Sequence, residues 1–566
     1  MACAGGEQAA AFSGDDVWPY RIHMSSKYLE LTRRKLELTR LPHKMPEPRS
    51  DEWWEPQPAV EPLLDFWLER FSWRDQERDF NAHVPQYRTA IKPAGSESPV
   101  RLHFVHARSP SAHAIPLLLI PPFPFTNLSL THLIGLFTEP RDAAADQPFH
   151  LVMPSLPGLG FSDALPDKMP MIPSMAQMLD ILMRRLGYRF FLVSNSGPSA
   201  HALAHVDWRV ASHLALHHPD SCLGVHFLSP PLSPPQMRDS PLAWAKWKAA
   251  SIVRSPMLGY SREDLDALRG AEESIRGRSR APNAPTPLGL GTVGASEPNT
   301  LAYALCDSPL GLLLFFLMVL RISGLRGSLP PAEVIKMTEL TWLPGPEGTM
   351  RLWAHSASRG LGKQENSRAS RPRAAITVFL GDQELANGPR PRPAHRPYVC
   401  PAWASQQYRV LASSRVKGEP GLLVWERPEV IAAGARMLAK AVLAVDARLG
   451  AARAPSTVSL ERPVVDDARN KVLSAETTRT ATSDPEDARR RPPQAAEETI
   501  AKPLASEAIT VPSTPDCARR KPIVTTRERR HAGTERDEDA EEQSGGGSEE
   551  SGQGSPDTVI AVKVGP

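Results

Sequence analysis

Three short apolar runs separated by helix-length spacers constrain this chain more than any other feature. Ile115 to Ile120 (IPLLLI), Phe149 to Met153 (FHLVM) and Arg189 to Val193 (RFFLV) carry little alternation, which is the pattern of strands buried on both faces. Between them lie a helix candidate over Leu128 to Phe137 and another marked by Met175, Met178, Leu179, Leu182 and Leu186. Strand, helix, strand, helix, strand at this spacing implies right-handed crossovers and a mostly parallel sheet flanked by helices. Arg101 to Val105 alternates as an edge strand would. The sheet is expected to resume at Ala375 to Leu380 (AITVFL) and again at Gly421 to Trp425 (GLLVW), before a last helix over Pro428 to Leu449. The fold class is therefore α/β.

Residues 230 to 370 break the alternation with long helical and loop material, including a Gly- and Pro-rich stretch near 277 to 298, so an inserted helical cap is expected there. Inside it, Leu310 to Leu320 (LGLLLFFLMVL) is much shorter than the ~20 residues a spanning helix needs. With Asp307 and Pro309 just before it, the run reads as a buried helix, an interfacial helix being the alternative. Upstream, Leu29 and Leu36 followed by Arg40-Leu41-Pro42 predict a short helix stopped by proline. Leu64, Trp67, Leu68 and Phe71 stand at i, i+3, i+4 and i+7, one face of an amphipathic helix. Residues 18 to 95 are too few and too aromatic to stand alone, and are expected to wrap onto a main domain spanning 96 to 450.

The termini differ in kind. Beyond 450 the apolar period fades, and stretches such as Asp487-Ala488-Arg489-Arg490-Arg491 and Glu541 to Glu550 cannot bury enough surface to offset the entropy of ordering. Residues 451 to 566 are expected to form a disordered low-complexity tail, and 1 to 17 a disordered N-terminus with neither the basic start nor the apolar run of a secretory signal. The unevenly placed 58 prolines and 36 glycines fit a folded part joined to a loose one. With 66 basic against 63 acidic residues the net charge is only +3, so no overall field draws the chain to nucleic acid or anionic lipid; contact with a membrane surface is left open by the apolar run alone. Five cysteines with no CxxC spacing argue against a disulfide framework or structural zinc and point to a reduced, cytoplasmic setting. Histidines 201, 205, 213, 217 and 218 include i, i+4 pairs, but without the glutamate of an HExxH pattern they read as exposed or core-edge residues. No metal or cofactor is implied.

Four strings in order carry a family resemblance: Trp67 to Asn81 (WLERFSWRDQERDFN), His103 to Pro110 (HFVHARSP), Pro154 to Ser162 (PSLPGLGFS), and Asn299 to Leu305 with Asp307-Ser308-Pro309. Over about residues 18 to 445 the chain resembles the microsomal-type epoxide hydrolases. That resemblance implies an α/β-hydrolase fold with a helical cap over an apolar pocket, and a small apolar molecule such as an epoxide as substrate. It also implies an aspartate at a strand-to-helix turn that forms an alkyl ester, two cap tyrosines that protonate the oxygen, and a His paired with an acid that activates water.

Those parts map onto this sequence unevenly. Aligned without gaps, the strand leads into Asn195-Ser196-Gly197-Pro198, with glycine in the nucleophile's place. Allowing a short insertion, Asp207-Trp208 supplies the Asp-Trp pair, and Asp207 is the preferred nucleophile candidate; a residue that caps a helix is the plain alternative. Ser196, in a string loosely like a G-x-S-x-G elbow, is a second candidate and would make the protein esterase-like. Pro121-Pro122-Phe123-Pro124 replaces the oxyanion loop, so backbone amides of Phe123 and Trp208 are the candidate donors; a rigid pocket wall is the alternative. Gly421 falls where the base His is expected, no histidine lies between His395 and His531, and Asp382 and Glu384 are the nearest carboxyls after the preceding strand. His395 is a substitute base candidate. Among cap positions, Trp353 falls where a tyrosine is expected, and Tyr303 is the other pocket candidate. The inventory leaves two functional classes, an epoxide-opening hydrolase and a pseudo-hydrolase that binds an apolar ligand or partner.

Overall fold

A computed structural model describes residues 17–43, 57–142, 146–166, 168–198, 204–253, 256, 258–278, 297–358, 371–381 and 398–451. The expectations for the two termini fall outside these residues, except Val17 at the N-terminal edge and Ala451 at the C-terminal one, as do Asp382, Glu384 and His395. Among the described residues nine strands form one sheet: β1 (Val17–Pro19), β2 (Gln86–Ile91), β3 (Val100–Ala107), β4 (Ile115–Ile120), β5 (Phe149–Pro154), β6 (Phe191–Asn195), β7 (Cys222–Leu228), β8 (Arg373–Phe379) and β9 (Arg409–Val416). Their order is β1-β2-β3-β5-β4-β6-β7-β8-β9. The β1, β2, β3 and β5 contacts are antiparallel, and all pairs from β5 through β9 are parallel. Every residue of β4, β5, β6 and β7 is buried, because helices cover both faces, and this is why those runs lack a polar side.

The helices follow in chain order. α1 (Ser26–Glu37), α2 (Gln57–Glu69) and α3 (Trp73–His83) precede β2; α4 (Ile134–Thr138), entered through a 3-10 turn at Asn127–Leu133, precedes β5. α5 (Met171–Arg185) and α6 (Val206–His217) flank β6. Between β7 and β8 come α7 (Pro241–Val253), α8 (Arg262–Arg278), α9 (Pro298–Asp307), α10 (Pro309–Ile322), α11 (Pro331–Trp342) and α12 (Glu347–Ser358), and after β9 come α13 (Leu423–Glu426), α14 (Pro428–Leu443) and α15 (Ala447–Ala451).

The N-terminal segment is tied to the helices between β7 and β8 by polar bonds as well as apolar packing. Trp67 buries its ring at 4% exposure and donates its indole N–H to Glu339 at 2.6 Å; Trp342 donates to Thr32 at 2.8 Å, and Lys35 reaches Asp307 at 2.5 Å. α10 is the apolar run, with Leu312, Leu313, Phe316 and Val319 fully buried. No single described helix is long and apolar enough to cross a membrane; α9 and α10 together meet the length but are bent by 119° where they meet.

One strand expectation is corrected. Gly421 to Trp425 does not join the sheet: Leu423–Glu426 is the short helix α13, and the last strand is Arg409–Val416. A five-residue apolar run does not distinguish a strand from a buried helical turn. The true edge strand, RVLASSRV, is only half-buried along its length and mixes serines and arginines, so it has no apolar signature.

Two of the motif strings prove architectural. In PSLPGLGFS, Ser162 donates to the Ser155 carbonyl at 2.7 Å, Ser155 donates to the Leu159 carbonyl at 2.7 Å, and the Ser162 hydroxyl receives the His103 N–H at 2.9 Å. The loop turns through Gly158 and Gly160 at φ of 87° and 48°, a backbone region that favours glycine. His103 and His106 are buried and neutral: burial first, then nearby arginines, lowers each to about 3. Their rings pair with Gln86 and Tyr188 at 3.2 and 2.9 Å.

Candidate functional site

The C-terminal ends of β4 and β6 lie side by side, Ile120 opposite Asn195, which is where an open α/β sheet places its ligands. Past β6 the chain turns through Ser196-Gly197-Pro198, and α6 begins at Val206 with Asp207 in its first turn. Asp207 is 1% exposed. One carboxyl oxygen, Oδ2, receives the Asn195 side-chain N–H at 3.2 Å, and the other, Oδ1, has no hydrogen-bond partner. Burial pushes its pKa up to about 7; Asn195 and the backbone N–H groups of Trp208, Asp207 and Gly197 act the other way. Those amides stand near the carboxyl without closing a bond to Oδ1. Asp207 is therefore no simple cap, since the N-cap residue of α6 is His205.

Asn195, a member of the elbow string that carried no expectation of its own, fixes this arrangement. Its amide also donates to the Gly197 carbonyl at 2.6 Å, while its oxygen accepts the Leu228 N–H at 3.0 Å. The signal available was a polar residue ending a fully apolar strand. Gly197 packs so tightly on the loop after β4 that an added Cβ would lie 2.6 Å from Pro122 and 3.7 Å from the Asp207 carboxyl.

A cavity with about 30 Å3 of room for water-sized occupants opens beside this turn, lined by Pro122, Phe123, Phe125, Ser196, Gly197 and Pro198, by Ser323 from the β7–β8 insertion, and by Gly421 to Val424. Gly421, the glycine found where a base was sought, is thus in the same wall as Phe123 and Gly197. Asp207 stands behind Gly197 and does not itself line the cavity. The remaining candidates are dispersed. Ser196 is buried and donates its hydroxyl to the Ile120 carbonyl at 2.7 Å, and no described histidine pairs with it. Trp208 is buried with its indole N–H unpartnered. Trp353 is fully buried beside Phe315, with ring centroids 5.8 Å apart. Tyr303 is 83% exposed on α9, so the expectation that it lines the pocket is not met: its hydroxyl faces water. Among the described residues no group of three metal-ligating side chains comes together. The His213 and His217 rings stack at 4.0 Å, and burial first, then His217 and His218, lowers His213 to about 4.

The comparisons with known proteins bear on the frame around this site. Residues 17–130 match the family model "Epoxide hydrolase N terminus", and the curated relatives carry the same name. A "Putative epoxide hydrolase" of Stigmatella aurantiaca is 29% identical over 302 residues, 52% of this chain and 58% of the relative. Over these stretches the chain is similar to epoxide hydrolases. "Juvenile hormone epoxide hydrolase 1" of Ctenocephalides felis is 24% identical over 311 residues, 53% of this chain and 59% of that one. The alignments thus span a little under three fifths of the length of these relatives. Among solved structures, the epoxide hydrolase of Aspergillus niger overlays with a TM-score of 0.55 at 19% identity, over 75% of this chain and 97% of that one. The juvenile hormone epoxide hydrolase of the silkworm Bombyx mori gives 0.55 at 19% identity, over 76% and 95%. These overlays show the α/β-hydrolase fold.

Proposed function

We propose that this chain opens epoxides of small apolar substrates through attack by Asp207, and that the resulting aspartyl ester is long-lived. The observation that supports this most directly is the Asp207 carboxyl: buried at the elbow, with one oxygen left unpartnered. An unsatisfied buried acceptor costs about 1–3 kcal/mol, and perturbed carboxyls of this kind concentrate at reactive sites. In the step envisaged, a carboxylate oxygen bonds to an epoxide carbon, the ring C–O bond breaks, and the departing alkoxide takes a proton. Tyr303 is exposed, so that proton comes from water. Phe123 and Trp208 amides are the donors proposed for the later oxyanion. Hydrolysis of the ester needs an activated water, a positioned base being worth ~10² to 10⁴ in rate, and Gly421 offers no side chain for it.

The cavity beside Gly421 favours a second reading, in which the site binds an apolar ligand without turnover. Ser196 as nucleophile is a third, serine esterase-like reading, and nothing among the described residues activates its hydroxyl. Intact-mass analysis after incubation with styrene oxide separates them. An adduct on Asp207 that persists supports the proposal, while diol without adduct means a base is supplied elsewhere. Neither product, with the ligand still bound, means binding alone.

A further inference from the structure

We propose that Glu426 holds the β7–β8 insertion shut over the cavity in front of Gly197 and Asp207, acting as a positioning residue that sets access to that site; the access part rests on the function proposed above. Glu426 is the last residue of α13, and its carboxylate reaches in two directions. Oε1 accepts the N–H groups of Arg326 and Gly327, at 2.8 and 3.1 Å, from the loop that joins α10 to α11. Oε2 accepts the Leu422 N–H at 2.7 Å. One side chain therefore joins the insertion to the turn that bears Gly421.

Three features make this more than an incidental surface bond. The insertion contributes Ser323 to the cavity wall, three residues before Arg326, while Gly421 to Val424 supply the facing wall. Fixing 326–327 to 422 thus fixes both sides of the opening. Next, the carboxylate occupies the space in front of Gly421: a Cβ there would overlap Glu426 Oε2 and lie 3.6 Å from the Gly324 carbonyl. Gly421 has φ of 63°, so a side chain would be strained as well. The clasp and a side chain at 421 exclude each other. Finally, about 30 Å3 suffices for one or two waters, whereas small-molecule sites run to roughly 300 Å3 and above. An epoxide reaches Asp207 only when the loop 323–330 moves, and that motion breaks the two bonds from Arg326 and Gly327 to Glu426.

Hydrogen exchange of full-length protein tests the clasp without relying on any reactivity. In Glu426→Ala, peptides covering 323–330 and 421–424 should exchange at least tenfold faster, with the core strands β4 to β7 unchanged. Glu426→Gln, which keeps one acceptor oxygen, should fall between. Gly421→Ala should reproduce the loosening of 323–330, and should add little in the Glu426→Ala background, because both changes displace the same carboxylate. Access is read from the kinetics of styrene oxide labelling: the apparent binding constant should tighten at least tenfold in Glu426→Ala with the limiting rate unchanged. Unaltered exchange at 323–330 in Glu426→Ala, or loosening of β4 to β7 along with it, overturns the clasp. Faster exchange with a labelling change confined to the limiting rate overturns its role in access. Faster exchange with no labelling of either protein supports the clasp and counts instead against Asp207 as nucleophile.

Discussion

Replacing Asp207 by asparagine removes one ionisable group from the elbow while leaving its size unchanged, and the burial of that group fixes the sign of the result. In the unfolded chain the carboxyl titrates near its ordinary value of 3.8; in the fold, burial raises it to about 7. A carboxyl with a raised folded pKa contributes stability that is fully present below the unfolded value and is lost as pH climbs through the folded one. Above pH 7 the folded protein bears the whole cost of the buried charge, and the interval from 3.8 to about 7 corresponds to roughly 4 kcal/mol. Asparagine bears none of it, and its oxygen still accepts from Asn195. The stability of Asp207→Asn relative to the parent should therefore rise between about pH 4 and pH 8 by an amount approaching that figure, then level off. Urea unfolding of both proteins across this range measures it. The difference between the two is the quantity to follow, since Glu339 is also raised to about 7 and shapes the parent's own profile. Parallel stability curves for the two proteins would refute the argument, because they would mean that the carboxyl at 207 is hydrated or paired.

Styrene oxide labelling should rise with pH through about 7, since only the carboxylate attacks; the rate profile read by intact mass should disappear in Asp207→Asn. Ser196→Ala should cost about 1 kcal/mol in thermal unfolding for the lost bond to Ile120 and leave labelling unchanged; a hundredfold loss would shift the nucleophile to Ser196. Trp67→Phe takes away the one hydrogen bond made to the Glu339 carboxyl, whose other oxygen already has no partner. The expected loss is about 1–3 kcal/mol, larger at pH 8 than at pH 5 because the bond favours the charged form. Gly434→Ala should destabilise by about 1–3 kcal/mol, read as a lowered melting temperature, since the new Cβ overlaps the His226 ring. That ring is held at 2.9 Å by Ser194 and at 3.0 Å by Thr377 and cannot turn away freely.

Legibility in the sequence followed the range of the interaction. β4, β5 and β6 were readable because burial on both faces leaves an apolar run that needs no knowledge of its partners, and the helices between them announce themselves by period. β9 was not: a half-buried edge strand takes its identity from hydrogen bonds to β8, which no local pattern records, and the neighbouring LLVW run drew the assignment to itself. Asp207 was legible as an acid at the start of a helix, but its burial and the pKa that burial raises come from tertiary packing. Tyr303 was placed in the pocket on sequence position alone, and the orientation of α9 turns it to water.

The sequence by itself determined that β4, β5 and β6 alternate with helices in a mostly parallel sheet, because this follows from which residues stand next to which. Only the tertiary structure decided that Gly197, Phe123 and Gly421 share one cavity, and that Glu426 fills the space in front of that glycine. The cavity joins Phe123 to Gly421 and the clasp joins Glu426 to Arg326 and Gly327, and it is the packing of loops at the sheet's C-terminal end that brings these distant positions together.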